Sequence, residues 1–197
     1  MKEGRAFTDV FPESAVSVKP LPLNVLVRVF RESIEGEGAW SNGFVIEQSQ
    51  ELLLLQLIND RISLDGYQLL RQSDITDIEQ PMPHHAFIEK ALELREQQPV
   101  HPGIVNMSSM ESALQSISQS SPLVTIHQES QEPDICWIGR VVSTSQGSLY
   151  LKCITPDARF EQDVDSYRIA DISRVDFGGD YEQILWRVAQ DGMQDAE

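Results

Sequence analysis

Apolar and polar residues alternate with period two along several short stretches of the chain. The clearest stretch is Leu149–Cys153, where Leu149, Leu151 and Cys153 share one face and Tyr150 and Lys152 share the other. This is the pattern of a half-buried β-strand, and Ser145-Gln146-Gly147 before it is a tight hairpin signal. The second half of the chain is therefore predicted to contain five short strands, with further β-rich runs at 123–127, 135–144 and 164–169 and a turn into a last strand at 171–175.

The same order of residues occurs earlier in the chain. Segment 43–60 matches segment 139–157, and after an insertion at Pro156 the match continues to Asp74-Ile75 and Asp171-Ile172. Similarity between whole segments indicates a repeated structural unit. The matched residues include Gly43 with Gly139, Ser49-Gln50 with Ser145-Gln146, Leu53 with Leu149, Leu55 with Leu151, and Arg71 with Arg168.

Amphipathic helices are predicted after each unit and between the units. Gly178-Gly179 breaks the chain, Asp180 with Gln183 is spaced as a capping box, and Ser108 with Glu111 repeats that spacing before a second helix. Apolar residues at helical spacing follow each start. The predicted apolar stripes are Phe87, Ile88, Ala91 and Leu92, then Met110, Ala113, Leu114 and Ile117, and finally Tyr181, Ile184, Leu185 and Val188.

These elements predict a mainly β, α+β fold. We expect a tandem duplication of a five-stranded SH3-like or Sm-like barrel unit, each unit followed by a short amphipathic helix. The analogy concerns strand order and spacing, and function does not follow from it. The expected boundaries are a flexible tail at 1–19, a first repeat at 20–96, a linker and helix at 97–120, a second repeat at 121–191 and a tail at 192–197.

The two units differ in one strand. Leu52 and Leu54 make the first unit's strand apolar on both faces, where the second unit has Ser148 and Tyr150. Such a strand needs a cover, which could be the other unit, a helix, a second copy or a partner protein.

Two aromatic residues also stand near strand starts in both units. Trp40 and Trp137 could pack in the core or at its rim, or line an aromatic groove for a peptide. Leu52, Leu54, Trp40 and Trp137 together form the candidate interaction surface.

Composition limits the partners. The chain has 197 residues, of which 41% are hydrophobic and 23% charged, and its formal net charge is −16. That charge repels phosphate backbones, so nucleic-acid binding is disfavoured unless Arg61, Arg71, Arg140 and Arg168 form a local basic surface. An acidic face could instead bind a basic partner protein.

Catalytic motifs are absent from the sequence. It contains no glycine-rich nucleotide loop and no nucleophile-elbow motif. Cys136 and Cys153 are interpreted as small buried hydrophobes, and Asp74 and Asp171 as equivalent turn residues. We therefore expect no enzyme activity, no cofactor and no metal, although His85 and Glu89 have the spacing of two metal ligands.

No signal-peptide pattern opens the chain, and the longest strongly apolar run is Leu52–Leu55. These features predict a soluble, cytoplasmic protein.

Four phrases resemble those of a bacterial protein family that has no assigned activity. They are Asn42–Ile46, Asp65–Ile78, Ile138–Val142 and Tyr167–Tyr181, and the resemblance extends from about Trp40 to Arg187. It implies the two-unit organisation and no functional residue. The leading functional hypothesis is a non-enzymatic protein-interaction or scaffolding module, and the alternatives are a small-barrel RNA- or DNA-binding protein and an acidic immunity or nucleic-acid-mimic protein.

Overall fold

The computed structural model of the chain describes residues 20–35 and 40–194. The tail predicted at 1–19 lies outside these residues. The last helix continues to Gln194, so the first three residues of the tail predicted at 192–197 are helical.

Ten strands and four helices make up the described part of the chain. The first half contains β1 (Leu26–Phe30), α1 (Glu32–Glu35), β2 (Trp40–Gln48), β3 (Leu52–Ile58), β4 (Leu64–Arg71), β5 (Asp77–Glu79) and α2 (His85–Leu94). After α3 (Met110–Ser120) come β6 (Val124–His127), β7 (Cys136–Ser145), β8 (Ser148–Cys153), β9 (Asp165–Arg168), β10 (Arg174–Phe177) and α4 (Asp180–Gln194).

All ten strands belong to one antiparallel sheet. Its order is β5-β1-β2-β3-β4-β10-β6-β7-β8-β9, so β5 and β9 are its two ends and the sheet is not closed. The prediction of a mainly β fold with helices is confirmed. The two separate closed barrels are not found, because β4 of the first half pairs with β10 of the second instead of each unit closing on itself.

The strand order within the two halves is the same. The first half reads β5-β1-β2-β3-β4 and the second reads β10-β6-β7-β8-β9. Register agrees as well, since Gly43 pairs with Leu57 and Gly139 with Cys153, each two residues before a shift in register. A Cβ at either glycine would lie 2.6 or 2.5 Å from a carbonyl oxygen of the neighbouring strand, so the close approach of the strands requires glycine there.

The hairpin predicted at Ser145-Gln146-Gly147 joins β7 to β8. Gln146 and Gly147 both have positive φ, 53° and 76°, as a two-residue type I′ turn requires. The sequence signal therefore identified the correct turn.

Leu52 and Leu54 lie in the largest hydrophobic cluster, and both are fully buried. Of the alternatives open from the sequence, cover from within the chain is the one observed. The covering residues come from α2, the linker, α3 and the second half, and include Leu92, Met107, Met110, Leu114, Val175 and Phe177.

Two helix starts differ from their predicted caps. The cap of α3 is Ser109, whose side chain accepts from the Ser112 amide at 3.2 Å, one residue after the predicted Ser108. At α4 the Asp180 amide donates to Asp65 Oδ1 at 2.8 Å, so the first half of the chain supplies a cap to the last helix.

The apolar stripe of α4 is only partly buried. Leu185 packs with Ala189 against the second half, while Tyr181, Ile184 and Val188 are each more than half exposed. The prediction of one buried stripe is therefore wrong for three of its four residues.

Candidate functional site

The β4–β10 pairing is the junction between the halves. Arg174 lies opposite Leu70, Val175 opposite Leu69, Asp176 opposite Gln68, and Phe177 opposite Tyr67. On one face Val175 and Phe177 enter the main cluster, where the Phe177 ring stacks on Tyr67 with 5.3 Å between centroids. On the other face lie the polar side chains of Gln68, Arg174 and Asp176 together with the buried Leu70, and buried charged groups are found next to them.

Arg31 and Glu129 form a buried ion pair across the halves. Arg31 follows β1 and Glu129 follows β6, and the guanidinium donates two parallel hydrogen bonds of 2.9 Å to the carboxylate. Their exposed fractions are 1% and 6%. A bidentate pair fixes both distance and orientation, so it sets how the end of β1 meets the second half.

Two further donors complete the shell of Glu129. Ser173 Oγ donates at 2.6 Å, and Arg174 Nη1 lies 3.1 Å from the carboxylate. Burial alone would raise the pKa of Glu129, but the hydrogen bond from Arg31, the charge of Arg174 and the Ser173 hydroxyl together hold that pKa below its ordinary value.

His127 and Asp176 continue the network along β6 and β10. Arg174 Nη2 lies 3.0 Å from His127 Nδ1 and 3.1 Å from His127 Nε2, so the guanidinium lies against the imidazole ring. His127 Nε2 is 2.9 Å from Asp176 Oδ2, and Gln68 Nε2 donates to Asp176 Oδ1 at 3.0 Å. Burial would raise the pKa of Asp176, but the hydrogen bond from His127 and the charge of Arg174 lower it.

Cys136 lies beside this histidine but is not activated by it. It is exposed, against the prediction that both cysteines are buried, and it pairs with His127 across β6 and β7. Both ring nitrogens of His127 are occupied, and burial of the thiol raises rather than lowers the Cys136 pKa. A nucleophilic cysteine needs a lowered pKa or a free base, so we interpret the network as structural.

The second half has an edge that corresponds to this junction. Leu53 pairs with Leu70 in the first half as Leu149 pairs with Tyr167 in the second, so β4 corresponds to β9. β4 is covered by β10 along its outer edge, whereas β9 is an end of the sheet. Within residues 20–35 and 40–194, no strand pairs with the outer edge of β9.

The amides of β9 alternate between its two edges. The Ile169 amide donates to Gly147 O on the β8 side at 2.9 Å. Successive residues of a strand direct their amides to opposite edges, so those of Ser166 and Arg168 point away from β8. Ser166 and Arg168 correspond to Leu69 and Arg71 of β4. Their amides are hydrogen-bond donors directed towards the outer edge of β9.

A concave pocket lies on one face of this edge. Its volume is about 390 Å³, and its aromatic walls are Trp137 and Tyr167, whose ring centroids are 5.1 Å apart. The Cys153 thiol and the carboxylates of Glu161 and Asp165 complete it, with their ligand atoms within 4.8 Å of one another. On the other face Tyr150 lies opposite Ser166, and Tyr150 and Val164 are both exposed.

The carboxylates of the pocket affect the pKa values of its phenol and thiol. Burial, followed by the neighbouring Cys153 and the carboxylates of Asp165 and Glu161, raises the pKa of Tyr167. Burial likewise raises the pKa of Cys153, and Asp165 and Glu161 raise it further against the hydrogen bond from Tyr167. Both groups are therefore neutral beside two carboxylates.

The four residues predicted to form an interaction surface do not lie together. Leu52 and Leu54 are in the interior, so no partner can contact them. Trp40 is 48% exposed and lies under Arg28, which is 4.5 Å from its ring centroid. Trp137 lines the pocket; because Trp40 stands three residues before Gly43 and Trp137 two before Gly139, the two rings are on opposite faces and are not equivalent.

Three of the four arginines proposed as a basic surface make contacts within the chain. Arg71 donates to the carbonyls of Ile172 and Ile169 at 2.7 and 2.6 Å. Arg140 stacks over Phe160, and Arg168 pairs with Asp171 at 3.7 Å. Arg61 lies apart, in the loop that lines a polar hollow with Asp65.

Sequence reasoning missed both the buried network and the free edge. Arg31 and Glu129 belong to no motif, and only the fold brings them together. The free edge could have been noticed from the sequence. Alignment of the two halves places Asp165 and Tyr167 where the first half has Gln68 and Leu70, and this difference marks the strand.

Searches found no matching family model, no matching curated protein and no matching solved structure. Among the described helices, none is long and apolar enough to cross a membrane.

Replacing Arg31 by Met should destabilise the protein strongly. The change leaves the buried Glu129 carboxylate without its bidentate partner, and breaking a buried pair costs about 3–5 kcal/mol. Urea unfolding at neutral pH measures the loss. Lys90→Met, which breaks the exposed Lys90–Glu93 pair, is the control and should change the unfolding free energy by less than about 1 kcal/mol. Equal effects of the two changes would contradict the structural role of Arg31.

Acid should weaken the junction. Glu129 and Asp176 have folded-state pKa values below their ordinary values of 4.5 and 3.8. Stability from their ionised forms is therefore complete above those ordinary values and is lost as the pH falls through them towards the folded-state ones. Asp74, whose pKa is raised by burial, acts in the opposite direction and offsets part of the loss.

The unfolding free energy should thus be nearly constant around neutral pH and fall below about pH 5. Urea titrations at a series of pH values test this, with Glu129→Gln as the comparison. The variant should be less stable at neutral pH and show a shallower fall in acid. A fall of the same depth in both proteins would assign the acid sensitivity to other groups.

Proposed function

We infer that this protein is a non-enzymatic interaction module that binds an extended segment of a partner protein along the free edge of β9. The observation that carries the proposal is the correspondence between β4 and β9. The chain already covers one of these edges with its own β10, and the other is an end of the sheet.

The repeated strand order supports a tandem duplication of one five-stranded unit with the SH3-like or Sm-like layout. In a duplicated chain, an edge that pairs in one copy has the same backbone geometry in the other. Strand addition uses that geometry directly, because main-chain hydrogen bonds provide affinity and alternate side-chain pockets provide specificity.

Apolar side chains next to β9 are exposed to solvent, and a bound strand would bury them. Tyr150 and Val164 are exposed apolar residues on one face of the edge, in the positions that correspond to Leu54 and Tyr67. In the first half the corresponding face packs against Val175 and Phe177 of β10. A partner strand with apolar residues at those two positions would complete the same packing.

A second copy of the chain fits this edge poorly. The strand that corresponds to β10 is β5, and equivalent pairing would place Glu79 opposite Asp165. Like charges opposite each other in an antiparallel pair are destabilising. β5 also has only three residues and is followed closely by Pro81, features that protect an edge from pairing. The proposed occupant is therefore another protein.

Selection of peptides from a random displayed library against the full chain tests the proposal. Selected peptides should bind one per chain, and their largest amide NMR shifts should fall on β9, at Ser166 and Arg168. Ser166→Pro removes one outward donor without removing a bond to β8, and it should weaken binding about tenfold or more.

Asp163→Pro is the matched control, since it changes an exposed residue before β9. Binding that survives Ser166→Pro unchanged, shifts confined to other elements, or no enrichment after repeated selection would each refute strand addition at β9.

A further inference from the structure

We propose that the bound segment carries a lysine or arginine whose charged end enters the pocket formed by Trp137, Tyr167, Glu161 and Asp165. This inference rests on the proposed function and specifies the chemistry of the partner. It concerns the face of β9 that the apolar contacts of Tyr150 and Val164 do not use.

The pocket contains negative charge and lacks a cation of its own. Among the described residues, neither Glu161 nor Asp165 forms an ion pair with a lysine, arginine or histidine, while its thiol and phenol are neutral groups. Two carboxylates whose oxygens lie close together attract a positive charge to the space between them. A cationic side chain would satisfy both.

The aromatic walls favour the same ligand. The rings of Trp137 and Tyr167, tilted by 51° with centroids 5.1 Å apart, line the same concave surface as the carboxylates. Ammonium and guanidinium groups are attracted to such faces, with tryptophan the strongest partner. The volume of about 390 Å³ accommodates the end of a long side chain.

The β4–β10 junction shows which residue pairs with this position of the edge strand when a neighbouring strand is present. Gln68 is the residue of β4 that corresponds to Asp165. It pairs with Asp176 of β10, and the side-chain amide of Gln68 donates a hydrogen bond to the Asp176 carboxylate. In β9 the polarity is reversed, because the residue on the sheet is itself a carboxylate, Asp165. The complementary residue on the incoming strand is therefore a donor with positive charge.

The structure also distinguishes this partner from a nucleic acid or from the chain itself. Carboxylates repel phosphates, and β5 would bring Glu79 to the position where the pocket requires a cation. A basic extended segment is the occupant that matches both the charge of the pocket and the net charge of −16.

Peptides that copy residues 172–178 provide the probe. One carries the native Asp176, one D176Q and one D176K, so that only the residue opposite Asp165 changes. Fluorescence anisotropy with the full chain at low ionic strength should rank D176K first, about tenfold or more tighter than the native sequence. Added salt should reduce that preference.

Variants of the pocket make the test reciprocal. Asp165→Asn and Glu161→Gln should each reduce the preference for D176K, and Asp163→Asn, outside the pocket, should leave it unchanged. Asp165→Lys should reverse the order and favour the native Asp176 peptide. A reversed preference cannot result from loss of folding.

The outcomes separate the two proposals. If peptides bind at β9 with equal affinity whatever their charge, the cation pocket is wrong and strand addition stands. If no peptide binds at β9, including those from library selection, the proposed function fails. Tight binding of zinc alone to Cys153, Glu161 and Asp165, abolished by Cys153→Ser and accompanied by no preference for D176K, would show a metal site and overturn the inference.

Discussion

The pairing of β4 with β10 is the contact on which the rest of the structure depends. Without it the ten strands would form two separate sheets, and the cluster that buries Leu54 together with Val175 would be divided. The pairing joins hydrophobic packing on one face to a buried ionic network on the other. Apolar burial contributes most of the free energy, while the bidentate Arg31–Glu129 pair fixes the orientation of the two halves.

This junction also determines which surfaces remain for a partner. The junction covers the outer edge of β4, and the apolar run Leu52–Leu55 of the neighbouring β3 is buried and cannot contact other proteins. The corresponding edge of β9 has outward amides but different neighbouring residues. At the corresponding positions the second half has Ser148 and Tyr150 where the first has two leucines, and Asp165 where the first has Gln68, so this edge is more acidic than the junction.

Much of the fold could be predicted from the sequence because it depends on local pattern. Period-two alternation placed β8, the Gln146-Gly147 turn required positive φ, and the repeated Asp74 and Asp171 lie in equivalent 3₁₀ turns, Gln72–Asp74 and Ile169–Asp171. The joining of the two units could not be predicted this way. It depends on β4 and β10, which are about a hundred residues apart, and an open edge and a paired edge have the same alternation.

The candidate site was only partly predictable for the same reason. The sequence singled out Trp137, which lines the pocket, and it directed attention to the strand where the halves differ, but Leu52 and Leu54 on that strand are buried. Leu52 and Leu54 lie on β3, next to the covered edge of β4, and their counterparts Ser148 and Tyr150 lie on β8, next to the open edge of β9. An unusually apolar strand in a repeat can indicate internal packing, so its plainer counterpart is the better place to look for a binding surface.

The β4 edge is covered by β10 while the corresponding edge of β9 is open, and amide hydrogen exchange tests this difference directly. In the protein without ligand, the outward amides of β9, Ser166 and Arg168, should exchange close to the rate of an unprotected amide. The counterpart of Ser166 on β4, Leu69, should be protected by orders of magnitude, since it pairs with Val175 of β10 inside the sheet. Protection of Ser166 equal to that of Leu69 would show that the β9 edge is already covered and would contradict the account.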